Sequence, residues 1–273
     1  MNKLNFTVDE NKCVNCGQCV KCCPQHIIKI KNNVPKIYNE KVCLKCQHCM
    51  AVCPVGAISI LNKNPDNSAL EGFNINSEDL LNVIKSRRSC RHYKHENVAK
   101  EKLDKLKEML DYTPTGVNCR GLYFSFIDDV EVMDDFKKHV YEKFVKFIKF
   151  IPFKPAIATK LVKQIENGKS PIFFDAPHIV AVSFDKKSVC KKIDYVIALS
   201  YFELYAQSMG LGTCWCGYAD GIFRLFPDVR KKLGIPKTHE LGYVMLFGEK
   251  DEKYTRITQP IPYEKYSVQK WDK

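Results

Sequence analysis

Apolar residues along this chain follow two rhythms. Up to about residue 61 they come as short alternating pieces, Phe6-Thr7-Val8, Ile27-Ile28-Lys29-Ile30 and Ala57-Ile58-Ser59-Ile60, which predict brief strands. Beyond residue 76 a helical period takes over. Asn76 or Ser77 caps a helix with Glu78 and Asp79 in its first turn and Leu80, Leu81 and Ile84 on one face. Leu103, Leu106 and Leu110 predict a second helix that Pro114 stops, and a strand follows at Leu122 to Ile127. Met133, Phe136, Val140, Phe144, Phe147 and Ile151 then predict a long helical region between Asp129 and Gly168. A buried strand over Ala176 to Val182, a long helix over Val189 to Met209 closed by Gly210, and a late strand over Gly242 to Gly248 complete the pattern. Helices and strands interleave without strict strand-helix-strand alternation, which predicts a layered α+β domain with a central sheet covered by helices.

The polar, turn-rich stretch Asn62 to Ser68 falls between the two rhythms and reads as a linker. The expected organisation is a first domain over residues 1–62, a linker over 63–76 and a second domain over 77–273. No run approaches eighteen uninterrupted apolar residues, so no transmembrane segment is expected. Lys143, Lys146 and Lys149 lie among the apolar residues of the long helical region, a pattern that suits a lid, a subunit contact or a membrane-surface element.

The first domain carries the densest chemistry. Its cysteines read Cys13-x2-Cys16-x2-Cys19-x3-Cys23-Pro24 and, thirty positions later, Cys43-x2-Cys46-x2-Cys49-x3-Cys53-Pro54. This duplicated run is the spacing of two-cluster bacterial ferredoxins, in which the fourth cysteine of each half ligates the other half's cluster. The expected ligands are Cys13, Cys16, Cys19 and Cys53 for one 4Fe-4S cluster and Cys43, Cys46, Cys49 and Cys23 for the other. Zinc also takes four thiolates, but rarely from three tandem cysteines plus Cys-Pro, twice and in crossed phase. A disulfide framework does not suit the start of the chain, Met1 to Phe6, where no leader is seen, and a reducing, cytoplasmic setting is expected. Cys22 sits inside an x3 gap and reads as a bystander.

The formal charge of +12 invites a nucleic-acid reading. Eight ligating thiolates add about −8, two oxidised clusters return about +4 and a bound phosphate dianion would remove about 2, which leaves about +6. Because the lysines are spread along the chain, no nucleic-acid partner is expected.

In the second domain, Arg87-Arg88-Ser89-x-Arg91 follows a helix, Pro114-Thr115-Gly116-x-Asn118 forms a loop, Gly210-Leu211-Gly212-Thr213-Cys214-Trp215 follows a long helix, and Lys253-Tyr254-Thr255-Arg256 follows a late strand. In this order the motifs resemble the FMN-dependent nitroreductase family. With the cysteine run in front, the whole chain resembles the ferredoxin-fused nitroreductases of anaerobic bacteria. The physics agrees, because guanidinium forks bind a phosphate dianion bidentately. The resemblance implies that Arg87, Arg88, Ser89, Arg91 and Arg256 hold the FMN phosphate and that Cys216, Gly217 and Tyr218 bring backbone near the isoalloxazine. It also implies a homodimer with the flavin site at the subunit interface, where Pro114, Thr115, Gly116 and Asn118 belong to the loop that reaches the flavin from the partner.

The sequence departs from the family pattern after Asn118, where Cys119-Arg120-Gly121 replaces the usual Gln-Pro-aromatic run. Arg120 could contact an anion or be plainly exposed. Cys214 and Cys216 read as buried packing rather than a redox dithiol, and the scattered histidines have no ligand spacing. No nucleophile or general base stands out, so the expected chemistry is the flavin's own. The expected enzyme is an FMN oxidoreductase fed through two 4Fe-4S clusters, passing electrons to a nitroaromatic, quinone or activated alkene. The alternatives are a dehydrogenase with reversed electron flow and an electron carrier or redox sensor without an organic substrate. Reduced ferredoxin or NAD(P)H is the expected donor, although no G-x-G-x-x-G fingerprint supports a dinucleotide.

Overall fold

The computed structural model describes residues 3–70, 72, 75–260 and 267–269, so positions 71, 73 and 74 of the expected linker lie outside the described residues. Two compact units emerge. The first comprises residues 1–74 together with 114–121 and 187–194; the second comprises 75–113, 122–186 and 195–273.

In the first unit, β1 (Thr7–Val8), α1 (Gln18–Cys22), β2 (Ile28–Lys31), β3 (Val34–Ile37), α2 (His48–Ala51) and β4 (Ile58–Ser59) follow in order. β1 pairs with β4, and β2 with β3, both antiparallel. The β2–β3 connection is the two-residue turn Asn32-Asn33, both with positive φ (51° and 59°), the geometry that matches strand twist. Its core is small: Ile27, Ile28, Met50, Ile58 and Ile60 pack with Cys19 and Cys49.

The second unit continues with α3 (Ser77–Ser86), α4 (Lys100–Leu110), β5 (Leu122–Ile127), α5 (Val130–Phe150), α6 (Ala156–Glu166), β6 (His178–Asp185), α7 (Lys191–Ser208), β7 (Leu211–Trp215), α8 (Gly217–Leu225), α9 (Pro227–Lys232) and β8 (His239–Glu249). The first residues of α7 belong to the first unit. The sheet runs β5-β6-β8-β7 and is antiparallel throughout. Strand alternation divides the core into two layers. Ile179 and Ala181 of β6 join Met133, Phe136 and Val140 of α5 and Phe223 of α8. Val180 and Val182 join Leu103, Leu106 and Leu110 of α4 and Ala198, Leu199 and Phe202 of α7. The result is a sheet between two helical layers, which agrees with the α+β expectation.

The long helical region expected between Asp129 and Gly168 is two helices. Asp129 caps α5 by accepting from the N–H groups of Glu131 and Val132, and Pro152 and Pro155 separate α5 from α6. The apolar face of α5 is committed to the unit's own core, with Met133 and Val140 wholly buried. Much of that face is therefore covered, while Phe150 at its C-terminal end is 90 % exposed. No helix among the described residues is long and apolar enough to cross a membrane.

Gly212 in β7 and Gly248 in β8 permit close approach of neighbouring segments. A Cβ at Gly212 would stand 2.6 Å from Cys90 Sγ, and one at Gly248 would stand 2.6 Å from Pro177 Cγ. Both would force the neighbouring segment to move.

Candidate functional site: two cysteine cavities and an arginine-edged cleft

The duplicated cysteine run folds into two matching loops. Asn15 and Gly17 in the first, and Lys45 and Gln47 at the same places in the second, take left-handed backbone (φ 55°, 72°, 54° and 61°) and curl the chain around a hollow. One cavity is lined by Cys13, Cys16, Cys19 and Cys53, with Pro35 and Ile58 among its apolar walls. The other is lined by Cys23, Cys43, Cys46 and Cys49, with Ile28, Ile37 and Ile60 among its walls. The eight cysteines proposed as ligands are therefore brought together in crossed sets. Backbone N–H groups point at the sulfurs, from Lys45 to Cys43 Sγ (3.4 Å) and from Ala57 to Cys53 Sγ (3.2 Å).

Among the described residues no three His, Cys, Asp or Glu side chains are close enough to share one ion. Four thiols around a hollow suit a multi-atom inorganic core better than a single tetrahedral ion. Burial pushes the Cys49 thiol up to about 12, and a bound cation would favour its thiolate. Cys22 lines neither cavity, and its thiol points to the Cys19 carbonyl (3.5 Å).

In the second unit, the segment after α3 lies along the sheet. Ser89 bridges Thr213, the Cys90 N–H donates to Thr213 O (2.8 Å) and the Lys94 N–H to Glu249 O (3.0 Å). The predicted arginines separate from one another. Arg91 lines a cavity of about 1000 Å³ together with Trp215, Cys216, Gly217, Tyr218 and Phe174, and its guanidinium lies 5.6 Å from the Phe174 ring centre. Arg87, at the end of α3, pairs with Glu203 through Nη1–Oε1 at 3.2 Å. Arg88 Nη1 donates to Thr258 Oγ1 (2.8 Å). Arg87, Arg88, Ser89 and Arg256 are not among the residues lining that cavity.

Glu203 was not visible to sequence reasoning. Buried in α7 (8 % exposed), it also accepts from Thr213 Oγ1 (3.4 Å) and from Trp215 Nε1 (3.2 Å at Oε2). A single carboxylate thus ties the end of α3 to a wall of the cavity. The Cys216 thiol caps α8, accepting from the Ala219 N–H (3.4 Å) and donating to Ile172 O (3.1 Å). Burial pushes it up to about 12, which agrees with a packing role.

Pro114, Thr115, Gly116 and Asn118 fold with the first unit. Asn118 Nδ2 donates to the carbonyls of Leu44 (2.9 Å) and Lys45 (3.1 Å), inside the second cysteine loop. The Gly116 N–H donates to buried Asp194 (2.9 Å), and Arg120 Nε braces the loop through Asn118 Oδ1 (3.1 Å). β-Branched Val117 is held at φ 49°, a costly backbone state.

The profile of the nitroreductase family matches residues 84–249, more than half of the chain. The chain belongs to the nitroreductase family. A 4Fe-4S dicluster domain matches residues 12–57, spanning the duplicated run. A curated relative from Methanothermobacter thermautotrophicus, provisionally named NADH dehydrogenase/NAD(P)H nitroreductase, is 28 % identical over 165 residues, which covers 56 % of this chain and 71 % of the relative. Among solved structures, a Bacteroides fragilis nitroreductase with bound FMN superposes with a TM-score of 0.58 at 21 % identity, over 72 % of this chain and 100 % of that one. A Desulfitobacterium hafniense nitroreductase with bound FMN gives 0.55 at 22 % identity, over 70 % and 100 %. These likenesses establish the fold of the second unit. The family makes the chain an oxidoreductase.

Proposed function

We propose that this protein is an FMN-dependent oxidoreductase that takes electrons through two 4Fe-4S clusters and passes them from the flavin to an electron-poor acceptor such as a nitroaromatic, quinone or activated alkene. The observation that carries the reading is the pairing of two crossed four-cysteine hollows with a nitroreductase-family unit in one chain. When bound, FMN supplies the two-electron chemistry.

The residues of this chain bind, orient and exclude water. Trp215, Tyr218 and Phe174 give the cavity aromatic walls, and Arg91 places a fixed positive charge at its edge. An aromatic-walled cleft of about 1000 Å³ with Arg91, Lys160 and Lys169 in its lining fits a flavin nucleotide. Glu203 ties Arg87 to Trp215 of the cavity wall, and of the expected phosphate donors Arg91 is the one that lines the cavity. Cys216, Gly217 and Tyr218 offer the backbone of the first turn of α8 to the isoalloxazine. Protons for the reduced product come from solvent.

Two features support the route and the assembly. The Pro114–Asn118 loop, proposed to reach a flavin across a homodimer interface, is hydrogen-bonded within the first unit to the backbone between Cys43 and Cys46, so one cysteine loop and the proposed flavin loop are held together. The apolar face of α3 is bare in the single chain, with Leu80 49 % and Ile84 47 % exposed, which favours a second copy.

The test is anaerobic purification followed by analysis and turnover. About eight irons, about eight sulfides and one flavin per chain are expected, with dithionite-driven reduction of a nitroaromatic. Arg91→Ala should weaken FMN binding by about 10- to 150-fold, the range for loss of a charge-assisted donor. Zinc in place of iron, or protein that never takes up flavin, would sink the reading.

A further inference from the structure

The hairpin β2–β3 carries a feature that the fold does not need. Its register sets Ile28 opposite Ile37, Lys29 opposite Lys36, Ile30 opposite Pro35 and Lys31 opposite Val34. Strand alternation therefore gives the hairpin two unlike faces. The inner face walls the cysteine hollows, with Ile28 and Ile37 on one and Pro35 on the other. The outer face presents Lys29, Lys31 and Lys36, all exposed. None of the three has an acidic partner among the described residues. Lys29 Nζ instead stands 4.6 Å from the ring centre of Tyr38, a side chain that is itself 58 % exposed.

Like charges placed directly opposite across a strand pair are destabilising, and a two-stranded sheet has little stability to lose. Lysine on an edge strand does guard against sheet-to-sheet aggregation, but that role needs neither an opposed pair nor a third lysine on the same face. The surrounding composition points the same way. Residues 11–39 contain five lysines and no acidic residue, and residues 1–62 contain eight lysines against Asp9, Glu10 and Glu40. Two oxidised clusters with their eight thiolates would contribute about −4, which leaves this surface positive.

We propose that the outer face of the hairpin, Lys29, Lys31 and Lys36 with Tyr38, is the docking surface for an acidic one-electron carrier protein. This rests on the reading that the clusters receive electrons. Each encounter oxidises the carrier by one electron and reduces one cluster by one; two encounters supply the pair that the flavin passes on, and solvent supplies the protons. The lysines lie on the outside of the strands that wall the hollows, so a partner steered onto them sits one strand's thickness from the sulfurs. Charge complementarity of this kind acts on the association rate and fades as salt screens it.

The experiment uses the full chain, prepared without oxygen, mixed in a stopped-flow instrument with a pre-reduced acidic bacterial ferredoxin or, separately, with the methyl viologen radical cation. Cluster bleaching is followed from about 0.02 M to about 0.5 M salt. The ferredoxin rate of the wild type should fall about tenfold or more across that range. A Lys29→Gln, Lys31→Gln, Lys36→Gln triple variant should lose about tenfold at low salt and converge on the wild type at high salt. Its iron, its flavin and its viologen rate should be unchanged. An Arg triple at the same positions should keep the ferredoxin rate, and neutralising exposed Lys105, Lys154 and Lys163 instead should leave it intact.

Equal ferredoxin rates in the Gln triple and the wild type, with viologen still active, overturn the docking surface alone. The same equality with lost affinity for a DNA duplex assigns the lysines to nucleic acid and also overturns it. Clusters that viologen cannot reduce overturn the functional reading and this inference with it.

Discussion

The two units reach a stable fold by opposite means. The sheet unit encloses two layers of wholly buried side chains, among them Phe173, Phe202, Phe223 and Phe247. The cysteine unit has a handful of isoleucines, and two of its buried residues are the proposed ligands Cys19 and Cys49. A domain this small buries too little apolar surface to offset its chain entropy unaided, and a bound inorganic core is the usual remedy. Cofactor loss should therefore unfold one unit and spare the other.

The largest effect should come from Cys53→Ala. Although Cys53 belongs to the second motif, it lines the hollow of the first. The variant should lose about half or more of the iron and expose residues 1–62 to protease, while flavin content holds. Unchanged iron would break the comparison at its base. Phe223→Ala provides the converse. This side chain is wholly buried, and its ring centre lies 5.6 Å from that of Phe136. Its loss should cost the sheet unit about 3–5 kcal/mol, seen as a lowered Tm with iron per folded chain intact.

Acid should separate the units more gently. His178 is wholly buried in β6, accepts the Val98 N–H at Nε2 (3.0 Å), and is held by burial at about 4, against an ordinary 6.5. Between those values the unfolded chain binds a proton that the folded one refuses. The contribution is thus complete above pH 6.5 and is lost as pH falls toward 4; the loss is about 3 kcal/mol. Urea midpoints of the sheet unit should fall across that window, and His178→Gln should flatten the slope. Cys22→Ser marks the small end: iron should stay near the wild-type level, because Cys22 lines neither hollow. Iron loss equal to that of Cys53→Ala would show that the ligand set is different.

Periodicity and spacing made much of this legible. The strand Leu122–Ile127 and the start of α3 at Ser77, capped by Asn76, coincide with the elements read from the chain, since both are local signals. β3 was missed because Pro35 argues against a strand, although Asn32-Asn33 is itself a hairpin signal. β7, α8 and α9 are short, and glycines at 210, 212, 217 and 221 interrupt the apolar period that would announce the first two. The partition of the arginines was beyond reach. Only the folded chain brings Glu203 to Arg87, 116 positions away, and only it shows that Asn118 bonds to a cysteine loop 74 positions earlier.

The glycines of β7 and β8 limit how this sequence can drift. Position 212 has Cys90 and Lys250 against it, and position 248 has Pro177 and Tyr93, all within about 3 Å of where a side chain would begin. Neither site can accept even alanine unless a neighbour on another segment moves first. A change there is reachable only by two steps taken together, and the first step alone is penalised. Lineages of this protein should therefore vary freely on the outer turns of α5 and α6 while these two letters stay fixed, anchoring the segment that presents Arg91.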